Sequence, residues 1–140
     1  MWQDTNAIMA VAHIVLPMRK RLLGQAGEWL AVFIVFLSGY RLLAVNFRAR
    51  AGEIDIICRR CGVIVFMEVK TRWQSDLSSC YSAVGMKKRQ RILTTSQYFL
   101  SKYPQYLECT QRFDILIIRI MDLRIHWVKN AFSSPIIGLD

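Results

Sequence analysis

The sequence predicts an α/β fold, a central mixed β-sheet flanked by helices in the order α-β-β-β-α-β. Three observations predict it. The chain has 140 residues, of which 54% are hydrophobic, and a single domain of that length buries roughly 68–70% of its extended surface. Two alternating, β-branched runs, Glu53 to Arg59 and Val63 to Arg72, close on Cys61-Gly62 as a hairpin does. A helical run from Met86 to Tyr103, stopped by Pro104, separates that hairpin from a continuous apolar strand, Phe113 to Ile120. Strands on both sides of a helix fit one mixed sheet with helices packed against it.

The remaining elements follow in order. Residues 1–17 read as an N-terminal extension, 18–132 as one domain and 133–140 as a tail. The first helix begins near Met18 and ends at Ser38-Gly39, where the glycine supplies the stop. Tyr40 to Phe47 is the first strand, and the basic turn Arg48 to Gly52 leads into the hairpin. Residues 73–84 are Ser-rich and loop-like. In the second helix Ile92, Ser96, Phe99 and Tyr103 share one face, widened by Leu93 and Leu100. Ile125 to Val128 is a short last strand. The first helix is apolar all round from Leu30 to Leu37, although a helix packed on one side of a sheet needs only one apolar stripe. Part of it is therefore expected to stay exposed. The cover is the extension Ile8 to Leu16 folded back, a homodimer through the helix, or a membrane contact. A membrane contact is the least expected, because the run from Trp29 to Leu37 is far shorter than the ~20 residues of a span.

Composition narrows the partners. Nineteen Lys+Arg stand against ten Asp+Glu, a net charge of +9, which points to a polyanion, with nucleic acid ahead of an anionic lipid face. With 21% charged residues the chain is not a disordered one. The cluster Arg19-Lys20-Arg21 follows the apolar residues 7–17, whereas a signal peptide carries its charge first. A cytoplasmic location with reduced thiols is expected. Cys58-Arg59-Arg60-Cys61 matches C-x-x-C, but His13 and His126 supply no second ligand pair, so these read as incidental hairpin thiols rather than zinc ligands.

The informative question is where a basic chain keeps its acids. Glu28 is the only charged residue between Arg21 and Arg41, and Glu53, Asp55 and Glu68 sit in apolar strands. Buried carboxylates are costly unless paired, hydrogen-bonded or on a metal. Asp114 heads an apolar strand beside Arg112, where an ion pair accounts for it. With Cys61-Gly62 as a two-residue turn, Arg60 faces Val63 and, counting outward, Asp55 faces Glu68. Alternation then puts Glu53 and Asp55 on one face with Glu68 and Lys70. Facing carboxylates repel, and a divalent cation between them reverses the sign. Few oxygen ligands, with substrate phosphate completing the shell, suit Mg2+, and a lysine beside such an ion makes a phosphodiester-hydrolysis site. The alternative is that Lys70 merely salt-bridges Glu53 or Glu68 on a solvated face.

At these residues the sequence resembles the PD-(D/E)xK nuclease superfamily and, more closely, the YraN family of nuclease-like bacterial proteins, similar in core to Holliday-junction resolvases. The resemblance is carried by Gly27-Glu28-Trp29-Leu30-Ala31, Gly39-Tyr40, Ala51-Gly52-Glu53-Ile54-Asp55-Ile56, Val65 to Arg72, Lys88 to Leu93, Arg112-Phe113-Asp114 and His126 to Phe132. It implies a restriction-endonuclease-like core and an Mg2+- or Mn2+-dependent endonuclease acting on nucleic acid, DNA first. It implies that Asp55 and Glu68 hold the metal with the Val69 carbonyl, and that Glu28 reaches it through water. Lys70 would orient the attacking water and stabilise charge on the phosphate, and Lys88 would be the lysine contributed by the second helix. The alternative function is a nucleic-acid-binding module with a vestigial or conditional site.

Overall fold

The hairpin that anchors the fold forms because Cys61 and Gly62 adopt the positive φ angles, 48° and 76°, that a tight two-residue turn requires. The computed structural model describes residues 4–73 and 84–133, with side chains from Arg21 onward. The expected Ser-rich loop and the tail fall almost wholly outside the described residues. The elements are α1 (Asp4–Leu37), β1 (Arg41–Ala49), β2 (Gly52–Arg60), β3 (Val63–Arg72), α2 (Met86–Lys102), a 3-10 turn at Pro104–Tyr106, β4 (Thr110–Arg119) and β5 (Arg124–Phe132). The five strands form one sheet in the order β1-β2-β3-β4-β5. Only β3 and β4 are parallel, and α2 lies in the connection between them. This is the expected α/β, restriction-endonuclease-like architecture, with both closing strands present.

One boundary differs from expectation. Helix α1 starts at Asp4 rather than near Met18. Pro17 does not stop it, because Ala, Ile, Val and Met precede the proline and Leu-rich helix follows; the ~3 kcal/mol cost of one interior proline is set against that whole run. The consequence is physical. A continuous helix cannot fold its own first turns over its last ones, so Ile8 to Leu16 does not cover Leu30 to Leu37. At its other end the helix stops as expected: Gly39 has φ 79°, and Tyr40 N–H donates back to the Val35 carbonyl at 3.2 Å.

Two apolar cores form, one on each face of the sheet. On the α2 face Ile57, Ile64, Phe66, Phe113, Ile115 and Ile117 pack on Ile92, Phe99 and Leu100. Phe66 and Phe113 stack with centroids 5.5 Å apart, and Phe99 meets Phe66 edge-on. On the α1 face Ala31 and Val35 pack on Ile56, Cys58, Val65, Met67, Leu116 and Ile118. The contact side of α1 is small: a Cβ at Gly27 would overlap Thr71 Oγ1. The missing side chain lets the helix backbone lie close on β3. Cys58 is sealed in this core, and burial pushes its thiol up to about 12, helped by the nearby Asp114 charge. It is an inert core thiol, with Cys61 exposed at the hairpin tip.

The Asp114–Arg112 ion pair is present at 2.8 Å and belongs to a larger buried network. Asp114, fully buried, also accepts from Trp127 Nε1 at 2.8 Å and from the Asn130 backbone N–H at 2.9 Å, while Arg112 donates to the Tyr40 hydroxyl. This ties β5 and the end of α1 to the centre of the sheet.

The Gly27 contact is testable. Gly27→Ala should lower stability by about 1–3 kcal/mol through overpacking, read as a drop in the thermal midpoint. Adding Thr71→Ala should return most of that loss; if the double variant melts with the single one, the close approach is not what Gly27 serves.

Candidate functional site

The β2–β3 ladder runs from Arg60↔Val63 to Ile56↔Met67 and ends there. The next facing residues are Asp55 and Glu68, as the turn arithmetic requires. Instead of a backbone partner, the Val69 N–H donates to Asp55 Oδ2 at 2.8 Å. In an antiparallel strand a residue's N–H and C=O point to the same side, so the Val69 carbonyl faces the same gap beside Asp55. Opposite Asp55, Asn46 of β1 takes φ 50°, a conformation that asparagine tolerates better than most residues, while the β1–β2 register runs on unshifted from Val45↔Ile56 to Phe47↔Ile54. Beyond this kink the alternation inverts. Ile54 packs with Ile57 against α2, and Glu53 lies 3.4 Å from Arg48 while lining one groove with Asp55 and Glu28. Glu53 thus stays with Asp55, but its ion-pair partner is Arg48, whereas Lys70 pairs with Glu68.

Glu68 is 3% exposed. Its Oε1 takes Lys70 Nζ at 3.0 Å and, from the first turn of α2, Lys88 Nζ at 3.3 Å. Its Oε2 is buried and finds no hydrogen-bond partner among the described residues. The Lys70–Glu68 salt bridge thus exists, but on a buried carboxylate rather than on a solvated face. Burial pushes the Asp55 carboxyl up to about 7, and the Glu68 charge adds to the rise. The Val69 N–H and Lys88 oppose it, and Glu28 adds a smaller upward push.

Glu28 comes from α1 and lines one groove with Asp55, Asn46, Arg48 and Arg21. Asn46 Nδ2 donates to Glu28 Oε2 at 3.3 Å. Among the described residues no three acidic, His or Cys groups converge closely enough to ligate one ion together, so Glu28 stands off from the Asp55–Glu68 pair. An orphaned buried Glu68 oxygen, a facing carboxylate and an unpaired stretch of backbone form a donor set of hard oxygens, which fits Mg2+ or Mn2+.

Three grooves adjoin across this point. One, of about 490 Å3, is lined by Glu28, Val69, Lys70, Thr71, Arg72 and Trp73. The Asp55–Glu28 groove continues it through Glu28, and a third, reached through Arg48 and Glu53, is lined by Lys88 and Arg91. Arg48, Arg72, Lys88 and Arg91 therefore flank the carboxylates in space. Arg59 and Arg60 sit instead at the hairpin end, where Arg60 donates to the Ser38 carbonyl. Two residues were not anticipated. Asn46 could have been flagged as an asparagine within a strand pattern; Trp73, 58% exposed at the groove edge, carried no signal beyond its type.

Comparison with known proteins places these residues in context. The model of the uncharacterised protein family UPF0102 matches residues 27–118. A UPF0102 protein of Mesorhizobium japonicum is 39% identical over 109 residues, covering 78% of this chain and 85% of that one. A UPF0102 protein of Lachnoclostridium phytofermentans is 35% identical over 119 residues, covering 84% of this chain and 98% of its own. One from Treponema pallidum is 36% identical over 124 residues, covering 85% and 98%.

The elevated Asp55 carboxyl makes a stability prediction. A carboxyl that holds its proton more tightly when folded contributes stability that is present below its unfolded value, near pH 4, and lost as pH rises through about 7. Metal-free protein should therefore melt progressively lower between those limits. Asp55→Asn keeps an acceptor for Val69 N–H and should flatten that slope, giving a higher midpoint than wild type above pH 7. Thermal melts across pH in chelator check it, and an unchanged slope would remove Asp55 as its source.

Proposed function

Because the chain belongs to the uncharacterised protein family UPF0102, the YraN nuclease-like group, we propose from its own site that it hydrolyses nucleic-acid phosphodiesters, DNA first, with Mg2+ or Mn2+. The observation that carries this reading is Glu68. It is a buried carboxylate facing Asp55, bridged on one oxygen by two lysines and left without a partner on the other. A fold that needed only neutralisation would satisfy both oxygens.

Asp55, Glu68 and the Val69 carbonyl would hold the ion, with Glu28 reaching it through water. The ion would supply positive charge that polarises a phosphodiester and makes water a better nucleophile. The protein's own part is positioning. Lys70, anchored on Glu68, orients the attacking water and offsets charge developing on the phosphate. Lys88 holds Glu68 from the other element, so that the carboxylate keeps one rotamer. Arg48, Arg72 and Arg91 bind neighbouring phosphates along the grooves, and a base can stack on Trp73.

A second reading is a nucleic-acid-binding module with a vestigial or conditional site. It is favoured by the double lysine pairing, which neutralises Glu68 without a cation. Purified chain with Mn2+, tested on single-stranded, duplex, flap and four-way DNA and on RNA, separates the two. Cleavage abolished by chelator supports the first; binding without cleavage of any substrate supports the second and removes the first.

Lys70→Ala should cut turnover about 10²–10⁴-fold while keeping divalent binding by calorimetry, whereas Glu68→Gln should lose both. If Lys70→Ala cleaves at the wild-type rate, its role here is wrong. Affinity should also fall with salt, log against log, with a slope of about 0.7–0.9 per phosphate contacted. A flat salt titration would remove the basic grooves from the account.

A further inference from the structure

The outward face of α1 is as apolar as a core. Leu22, Ala26, Trp29, Phe33 and Phe36 follow at alternating spacings of four and three, and all are exposed, Trp29 at 73% and Phe36 at 69%. Leu30 and Leu37 form a flanking column seven residues apart, also exposed. This is the a, d and e pattern of a helix facing other helices in a bundle. The sheet-facing side of the same helix is already used by Gly27, Ala31 and Val35. The one charged residue between Arg21 and the helix end, Glu28, points to the groove and not to this seam.

We propose that α1 pairs with α1 of a second copy of this chain to form a two-fold dimer. Two points choose this occupant. The 3.5-residue period matches a helix partner, whereas a lipid surface demands an apolar face but no seam register. The three aromatic and three leucine side chains offer roughly 600–700 Å2 at their observed exposures, near the ~800 Å2 per partner of a specific interface. A surface that repeats itself across a two-fold axis closes with two copies and leaves no open seam.

Sedimentation velocity of the full chain over a concentration series tests this, with thermal midpoints across the same series and flotation with vesicles of anionic phospholipid. The expected result is a micromolar dimer whose midpoint rises with concentration and which does not float. Trp29→Glu and Phe36→Glu, separately, should weaken association at least tenfold with unchanged far-ultraviolet circular dichroism. A wild type that stays monomeric overturns the proposal, whether or not it floats with the vesicles. Dimers unaffected by both glutamate variants place the contact elsewhere and also overturn it. None of these readouts depends on catalysis.

Discussion

Everything at the site depends on one local failure of pairing. The β2–β3 ladder stops at Ile56↔Met67, and the Asp55 side chain takes over the hydrogen bond that a backbone carbonyl would have made to Val69. A carboxylate doing the work of a ladder carbonyl is held rigidly, because moving it would orphan a buried N–H at a cost of about 1–3 kcal/mol. It also brings a second charge next to Glu68. The sheet therefore stores like-charge repulsion where its backbone is open, and the raised Asp55 carboxyl is the thermodynamic record of that repulsion together with burial. A cation held there would relieve both.

The two helices serve this gap from opposite faces. Helix α1 can lie close on β3 because Gly27 meets Thr71 without a side chain, and one residue later Glu28 enters the groove beside Asp55. Helix α2 begins at Met86 after the N-cap Gly85, with no side-chain cap and no acid in its first turn. Its third residue, Lys88, instead meets Glu68. A basic first turn is unfavourable to the helix dipole on its own, and a buried carboxylate at 3.3 Å is the compensation. Gly27 and the cationic start of α2 are thus local concessions that make sense only through the site between them.

How much of this was legible follows from what sets each feature. The Asp55–Glu68 juxtaposition was readable because a two-residue turn at Cys61-Gly62 fixes the register of every pair outward from it. The pairing of Glu53 with Arg48 was not, because Arg48 comes from β1 and faces Glu53 only through the β1–β2 register. The apolar excess of α1 was visible as composition, but its outward register was not, since helix periodicity shows two apolar stripes and not which one meets the sheet. The extent of α1 was not legible because residues 4–17, read as an extension, carry no clear start signal, yet they run on as helix into Met18 and beyond. Arg112 beside Asp114 was readable as neighbours, whereas Trp127 and the Asn130 N–H reach Asp114 only through the β4–β5 pairing and its irregularity.

The outer faces of the two helices show that exposure alone does not explain α1. Helix α2 also packs one side on the sheet, and its exposed residues are mostly polar, Lys87, Gln90, Arg91, Thr94, Gln97 and Ser101 among them, with Met86 and Tyr98 as the exposed exceptions. The same chain, at the same depth in the fold, places Leu22, Trp29, Phe33 and Phe36 on the corresponding side of α1. Scattered apolar residues on a surface need no explanation, but a contiguous stripe of this size does. The two outer faces therefore differ in kind: that of α2 has mostly the composition of a surface that meets water, and that of α1 the composition of a surface that meets other apolar side chains.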